Sequence, residues 1–166
     1  MKHAGTPFQS IRPWLLLALA LLVVSACTHR PVVNVPPSPE LEKKVVQIVS
    51  GDHVVPLTAE IADTPGERRQ GLMGRYYMDW DAGMLFVYEI SRSGSFGFWM
   101  QNTIIPLDIA YLDENGVIAS IKQMEPCIDQ PTCPVYPAGV RYRSALEVNQ
   151  GFFEAHGISV GDRVEW

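Results

Sequence analysis

The sequence predicts a mainly β fold: a single compact antiparallel domain, barrel- or sandwich-like, with one or two short helices. Three observations predict it. From Val45 onward, seven or eight short apolar runs are bounded by Gly, Pro, Asn or Asp, the spacing of antiparallel sandwiches and barrels. Helical signals cover only two short stretches, too few for an alternating βα fold. The segment 42–166 holds about 125 residues, enough for one core.

Val45–Val49 and His53–Ala62 are β-rich and joined by Ser50-Gly51-Asp52, a hairpin signal. In the second run Val55, Leu57, Ala59 and Ile61 form the expected core face, and Pro56 suggests an edge strand. Thr64-Pro65-Gly66-Glu67 opens a helix, with Thr64 as N-cap, Pro65 at N1 and Glu67 completing a capping box. Gly71 or Gly74 stops it.

Met84–Tyr88 reads as a strand, and Phe96–Gln101 as another with aromatics on both faces, hence buried on both sides. Ile104–Leu112 and Val117–Met124 flank Asp113-Glu114-Asn115-Gly116, a hairpin turn. The Pro-rich loop 125–140 carries two cysteines, and Ser144–Val148 returns as a strand. Phe152–His156 is one helical turn ended by Gly157, and Val160–Arg163 turns into a last strand ending at Trp166.

Ahead of this domain lies a leader. Lys2, His3 and Arg12 precede the apolar run Trp14–Val24, too short to span a bilayer, and Val24-Ser25-Ala26-Cys27 follows. The last four residues resemble a bacterial lipobox, in which Cys27 is lipidated and becomes the N-terminus. Residues 1–26 are then a signal peptide and residues 27–41, with four prolines between Thr28 and Leu41, a semi-rigid tether. Fully extended at roughly 3 Å per residue, the tether reaches some 40 Å from the membrane. Thr28, where many Gram-negative lipoproteins retained at the inner membrane carry Asp, favours the outer membrane, facing the periplasm.

Loss of Lys2 and Arg12 takes the 13 basic residues to 11 against 18 acidic ones, a formal charge of −7. That charge gives no sequence-independent pull on nucleic acid, and the surface repels anionic headgroups. The lipid itself must therefore hold the chain to the membrane. With Cys27 lipidated, Cys127 and Cys133 remain, and outside the cytoplasm such a pair forms a disulfide. Their spacing is not the CxxC of thiol oxidoreductases.

Gly71-Leu72-Met73-Gly74-Arg75, Gly83-Met84-Leu85-Phe86, Phe98-Trp99-Met100-Gln101-Asn102-Thr103 and Pro106-Leu107-Asp108 stand in order. Met124-Glu125-Pro126-Cys127, Ala145-Leu146-Glu147 and Val160-Gly161-Asp162 follow. This set resembles the DUF192 (UPF0127) family over about Val55–Val164. The resemblance implies a compact β-rich fold and no established reaction, substrate or cofactor.

The residues themselves suggest sites. Strand parity puts Ile105, Leu107, Ile109 and Tyr111 on one face, so Asp108 shares the other with Pro106, Ala110 and Leu112. A carboxylate on an apolar face needs a partner, and Arg75, Asn102, Arg141 and Arg143 are candidates. Asp108 is either a structural anchor accepting backbone N–H groups near Pro106 or a ligand-binding or acid–base group. Trp99, Asn102, Asp108 and Arg75 form the expected ligand-binding set of an accessory module for a small molecule, a cell-wall fragment or an envelope protein. Core packing for Trp99 and turn bonding for Asn102 are the alternatives.

The competing enzymatic reading pairs Asp108 with Glu125 or Glu147 as the carboxylates of a hydrolase acting on envelope glycans. No metal and no cofactor are expected. Met73, Met84, Met100 and Met124 lie in apolar runs where Met fills gaps, and His53 and His156 make no zinc pattern.

Overall fold

A computed structural model describes Met1, Val35 and residues 38–166. The chain divides at Arg30/Pro31, and every element below belongs to the second unit. Cys27 and most of the expected leader and tether lie outside the described residues. Among the described residues no helix is long and apolar enough to cross a membrane.

The mainly β class is observed, as an open mixed sheet with no closed barrel. The strands are β1 (Lys43–Ser50), β2 (His53–Ala62), β3 (Ala82–Arg92), β4 (Gly97–Trp99) and β5 (Leu107–Leu112). β6 (Ile118–Met124), β7 (Val135–Pro137), β8 (Tyr142–Asn149) and β9 (Arg163–Glu165) complete them, with helices α1 (Pro65–Gln70) and α2 (Phe152–Ala155). Seven strands form one sheet in the order β6-β5-β8-β3-β2-β1-β9, while β4 and β7 pair separately.

One pair departs from the antiparallel expectation. β2 and β3 run parallel, with Thr58 opposite Ala82 and Ala62 opposite Phe86. The connection 63–81, which contains α1, is the long crossover that parallel neighbours require. It also makes β2 an inner strand, contrary to the expectation from Pro56. The β3 pairing begins only at Thr58, so Pro56 sits where one side of β2 has no partner.

α1 forms as its capping box dictates: Thr64 accepts from Glu67 N–H at 3.3 Å and Glu67 accepts from Thr64 N–H at 2.9 Å. Gly71, at φ 48°, ends it.

The sheet separates two apolar layers. On one face Met84, Phe86, Ile109, Tyr111 and Met124 pack beneath the two-stranded β4–β7 sheet and the segment around Leu72 and Met78. Phe98 packs edge-on within this first layer, its ring 4.8 Å from Phe86 and 5.8 Å from Tyr111. On the other face Ala110, Leu112, Leu146 and Val148 are covered by Phe152, Phe153, Ile158 and Val164.

Two boundaries shift. The run Phe96–Gln101 is a three-residue strand, not a strand buried on both sides: Phe96 and Trp99 are half exposed. It lies in the two-stranded lid over the core, where Phe98 and Met100 turn inward. Leu41, assigned to the tether, is buried in the core. The thiols of Cys127 and Cys133 are bonded as expected, with Cα atoms 5.9 Å apart.

Candidate functional site

The residues after α1 are held by a sequence of local devices. Gly74 takes φ 75°, and its N–H donates to Asn102 O at 2.9 Å. Arg75 follows and grips Glu60 through two bonds, Nη1 to Oε1 at 2.7 Å and Nη2 to Oε2 at 2.6 Å. The guanidinium holds the Glu60 carboxyl below its ordinary pKa. Met78 then turns into the core, while Tyr76, Tyr77 and Trp80 remain exposed. Asn149, at the end of β8, clamps the segment: its Nδ2 donates to Met78 O at 3.3 Å and to Asp79 O at 2.9 Å.

These constraints leave a groove of about 340 Å³ at the sheet end where β5 and β3 begin and β8 finishes. Its walls are the rings of Tyr76, Tyr77 and Trp80, with Met78, Ile105 and Pro106 supplying further apolar surface and Asn149 and Gln150 the polar groups. Trp80 is steadied by the Phe152 ring at 5.7 Å. Gln150 Nε2 donates to Glu125 Oε1 at 3.1 Å, which brings a carboxylate to the rim. Both N–H groups of Asn149 and one of Gln150 are thus engaged, and the amide carbonyl oxygens can act as acceptors for a ligand. The volume lies at the small end of ligand sites, roughly 300–1,000 Å³.

None of the expected set of Trp99, Asn102, Asp108 and Arg75 lines this groove. Arg75 is committed to Glu60. Asn102, at φ 54°, knots three loops through its backbone: its N–H donates to Cys127 O at 2.9 Å and its carbonyl accepts from Gly74. Trp99 is on the outer face of the β4–β7 sheet, opposite Val135.

Asp108 is 2 % exposed, on the predicted face with Ala110 and Leu112. None of the four predicted partners reaches it: Oδ2 accepts from Gly151 N–H at 2.9 Å, and Oδ1 has no partner. Burial raises its pKa, the Gly151 bond opposes this, and the charge of Glu154 adds to the rise.

Nor do the three carboxylates assemble. Ile109, not Asp108, stands opposite Glu147, so Asp108 and Glu147 occupy opposite faces of the sheet. Glu125 is exposed beyond the end of β6. Glu147 is 4 % exposed among apolar neighbours, and burial alone raises its pKa to about 8. Among the described residues no three His, Cys, Asp or Glu side chains could hold a metal together.

Tyr76, Tyr77, Trp80, Asn149 and Gln150 were missed from sequence. The signal available was three aromatics within five residues of a segment that is neither strand nor helix.

Replacing Arg75 tests its structural reading. Arg75→Met leaves a largely buried carboxylate unpaired and is expected to cost about 2 kcal/mol at pH 7, read from the urea midpoint. Because the folded pKa of Glu60 is depressed, the loss should shrink as pH falls through that pKa. An equal loss at low and neutral pH would contradict the assignment.

Fold and groove together define a mainly β domain, an open mixed sheet lidded by a two-stranded sheet, with an aromatic-walled cleft at one sheet end. The chain belongs to the family described as DUF192, uncharacterized ACR, COG1430, which matches residues 46–166. A crystal structure of a proposed transcription regulator from Sinorhizobium meliloti 1021 is 31 % identical, with a TM-score of 0.68. The match covers 76 % of this chain and 95 % of that one. A protein of unknown function from Novosphingobium aromaticivorans DSM 12444 is 28 % identical with a TM-score of 0.63, over 84 % of this chain and 94 % of that one. No curated protein matches.

Proposed function

We propose that this protein is a binding module of the bacterial envelope that takes a glycan or cell-wall fragment in the groove of Tyr76, Tyr77 and Trp80. One observation carries the reading: three exposed aromatic rings bound a small cleft whose polar groups are amide and carboxylate acceptors. A sugar ring offers an apolar C–H face and a rim of hydroxyl donors. Aromatic faces cover the first, and the oxygens of Asn149, Gln150 and Glu125 receive the second.

The envelope address rests on the leader, with a lipid on Cys27 as the anchor and the outer membrane, periplasmic side, as the place. The acidic balance speaks against nucleic acid as partner, so the regulator described for the Sinorhizobium relative is not carried over. Binding without cleavage is favoured because glycosidases bring two carboxyls about 5–9.5 Å apart across one bond. Here Asp108 and Glu147 are buried on opposite faces of the sheet, and Glu125 is exposed and bonded to Gln150 at the groove rim.

The test is a titration of the protein with N-acetylglucosamine oligomers and soluble muropeptides, followed by tryptophan fluorescence. Saturable binding is expected, weakened at least tenfold in Tyr77→Ala. Tyr77 is 73 % exposed, so its melting temperature should stay unchanged. Trp99→Phe, outside the groove, should bind as wild type. A flat titration with both ligand types would sink the glycan reading.

A further inference from the structure

We infer that the groove of Tyr76, Tyr77 and Trp80 holds its ligand by a protonated primary amine, so that a glycan bound there is an amino sugar without its N-acetyl group. The inference rests on the glycan reading and narrows it to a ligand class. Three aromatic rings bound the cleft, Tyr76 46 %, Tyr77 73 % and Trp80 48 % exposed. The face of an aromatic ring is negative, and an alkylammonium group over it is attracted by the ring quadrupole. Such a cleft favours a cation over a neutral group of the same size.

The charges around the rings agree. None of the residues lining the groove is Lys, Arg or His. Arg75, next in sequence to Tyr76, is committed to Glu60 by two bonds. Carboxylates stand at the rim instead. Glu125 is brought there by its bond to Gln150 at 3.1 Å. Asp79 and Asp81 flank Trp80, and both are exposed.

A hydrogen bond to Asp79 and the charge of that carboxylate raise the pKa of the Tyr77 hydroxyl, and the charge of Asp81 adds to the rise. Both carboxylates therefore stand beside one ring of the wall. Among the described residues, none of Asp79, Asp81 and Glu125 is ion-paired.

A neutral sugar gives no reason for this arrangement. Its hydroxyls need only the amide oxygens of Asn149 and Gln150, and a carboxylated sugar would meet three like charges at the rim. An ammonium group uses every part. Its N–H groups donate to the rim oxygens, its charge meets the rings, and the apolar face of the sugar covers the aromatic surface that remains.

The experiment titrates the protein at pH 6, where sugar amines are protonated, and follows tryptophan emission. The probes are the trimers of glucosamine and of N-acetylglucosamine, with Nα-acetyl-lysine amide as an amine that carries no sugar. The glucosamine trimer should bind at least tenfold tighter than the N-acetylated one. Asp79→Asn combined with Glu125→Gln should remove most of that preference and leave the N-acetylated trimer within twofold of wild type.

Any polycation is drawn to an acidic chain, so the preference must also depend on the rings. It should fall at least fivefold in Tyr77→Ala and persist in Tyr77→Phe. A preference that survives Tyr77→Ala belongs to the surface charge and overturns the inference. Equal binding of the two trimers also overturns it, and leaves the glycan reading standing. Binding of the lysine amide alone supports the amine site but moves it from a sugar to a peptide, against the glycan reading. If none of the three probes binds, both fall.

Discussion

Glu147→Gln should stabilise the domain by about 3 kcal/mol at pH 7, roughly 10 °C in melting temperature. Glu147 lies in β8 with Met84 opposite on one neighbouring strand and Ile109 on the other. It is 4 % exposed, and burial alone lifts its pKa to about 8. The folded protein therefore binds a proton that the unfolded chain, near its ordinary value of about 4.5, releases.

The sign follows from that difference. Stability is greatest below the unfolded pKa, falls as pH rises from about 4.5 to 8, and levels off above. Glutamine has the same shape and no charge to suppress, so the variant should lack this part of the pH dependence. Urea unfolding at pH 4.5, 7 and 8.5 reads both curves, which should meet at the acid end and diverge above it. Parallel curves would mean that the carboxylate is ionised in the fold and the assignment is wrong. A side chain that costs stability where it stands marks a place at which packing alone did not choose the residue. Asn149, a wall of the groove, is the next residue on the same face of β8.

Most of the strand pattern was legible because parity and turn chemistry are local. The face of β5 carrying Asp108, the capping box of α1 and the cysteine pair all read directly from neighbouring residues. The parallel β2–β3 pair was not so readable: strand direction depends on what the chain does between Ala62 and Ala82, and the crossover's length was the clue. The lid was misread for a similar reason. Alternating aromatics in Phe96–Gln101 look the same whether a strand lies between two layers or covers one.

The groove was the least legible feature. Its walls come from the segments at 76–80, 105–106 and 149–150, which meet only because β5, β8 and β3 share one sheet end. The expected partners of Asp108 failed on the same ground. Arg75 had a nearer carboxylate in Glu60, and Arg143 donates through Nε to Tyr88 O at 2.7 Å.

What remained right about Asp108 was its anchor role, and this gives the second large effect. α2 begins at Gly151, which has no side chain to cap it. Asp108 supplies the missing acceptor from β5, taking the Gly151 N–H on Oδ2. The bond seats Phe152 and Phe153 over the second apolar layer, where both are buried.

Asp108→Ala removes that acceptor and opens a small void. The expected loss is about 2 kcal/mol, from a charge-assisted bond partly offset by relief of the carboxyl's own burial. Asp108→Asn keeps an acceptor for Gly151 and removes the charge, so it should fall by less than half as much. Hydrogen exchange locates the effect: the amides of Gly151 and of α2 should exchange faster in Asp108→Ala, with little change in β1 and β9. Because Trp80 leans on Phe152, the glycan titration should weaken in Asp108→Ala and persist in Asp108→Asn. An alanine variant that melts with the wild type would show that α2 holds its place without Asp108. Its carboxyl would then need another reason to be buried with one oxygen unpartnered.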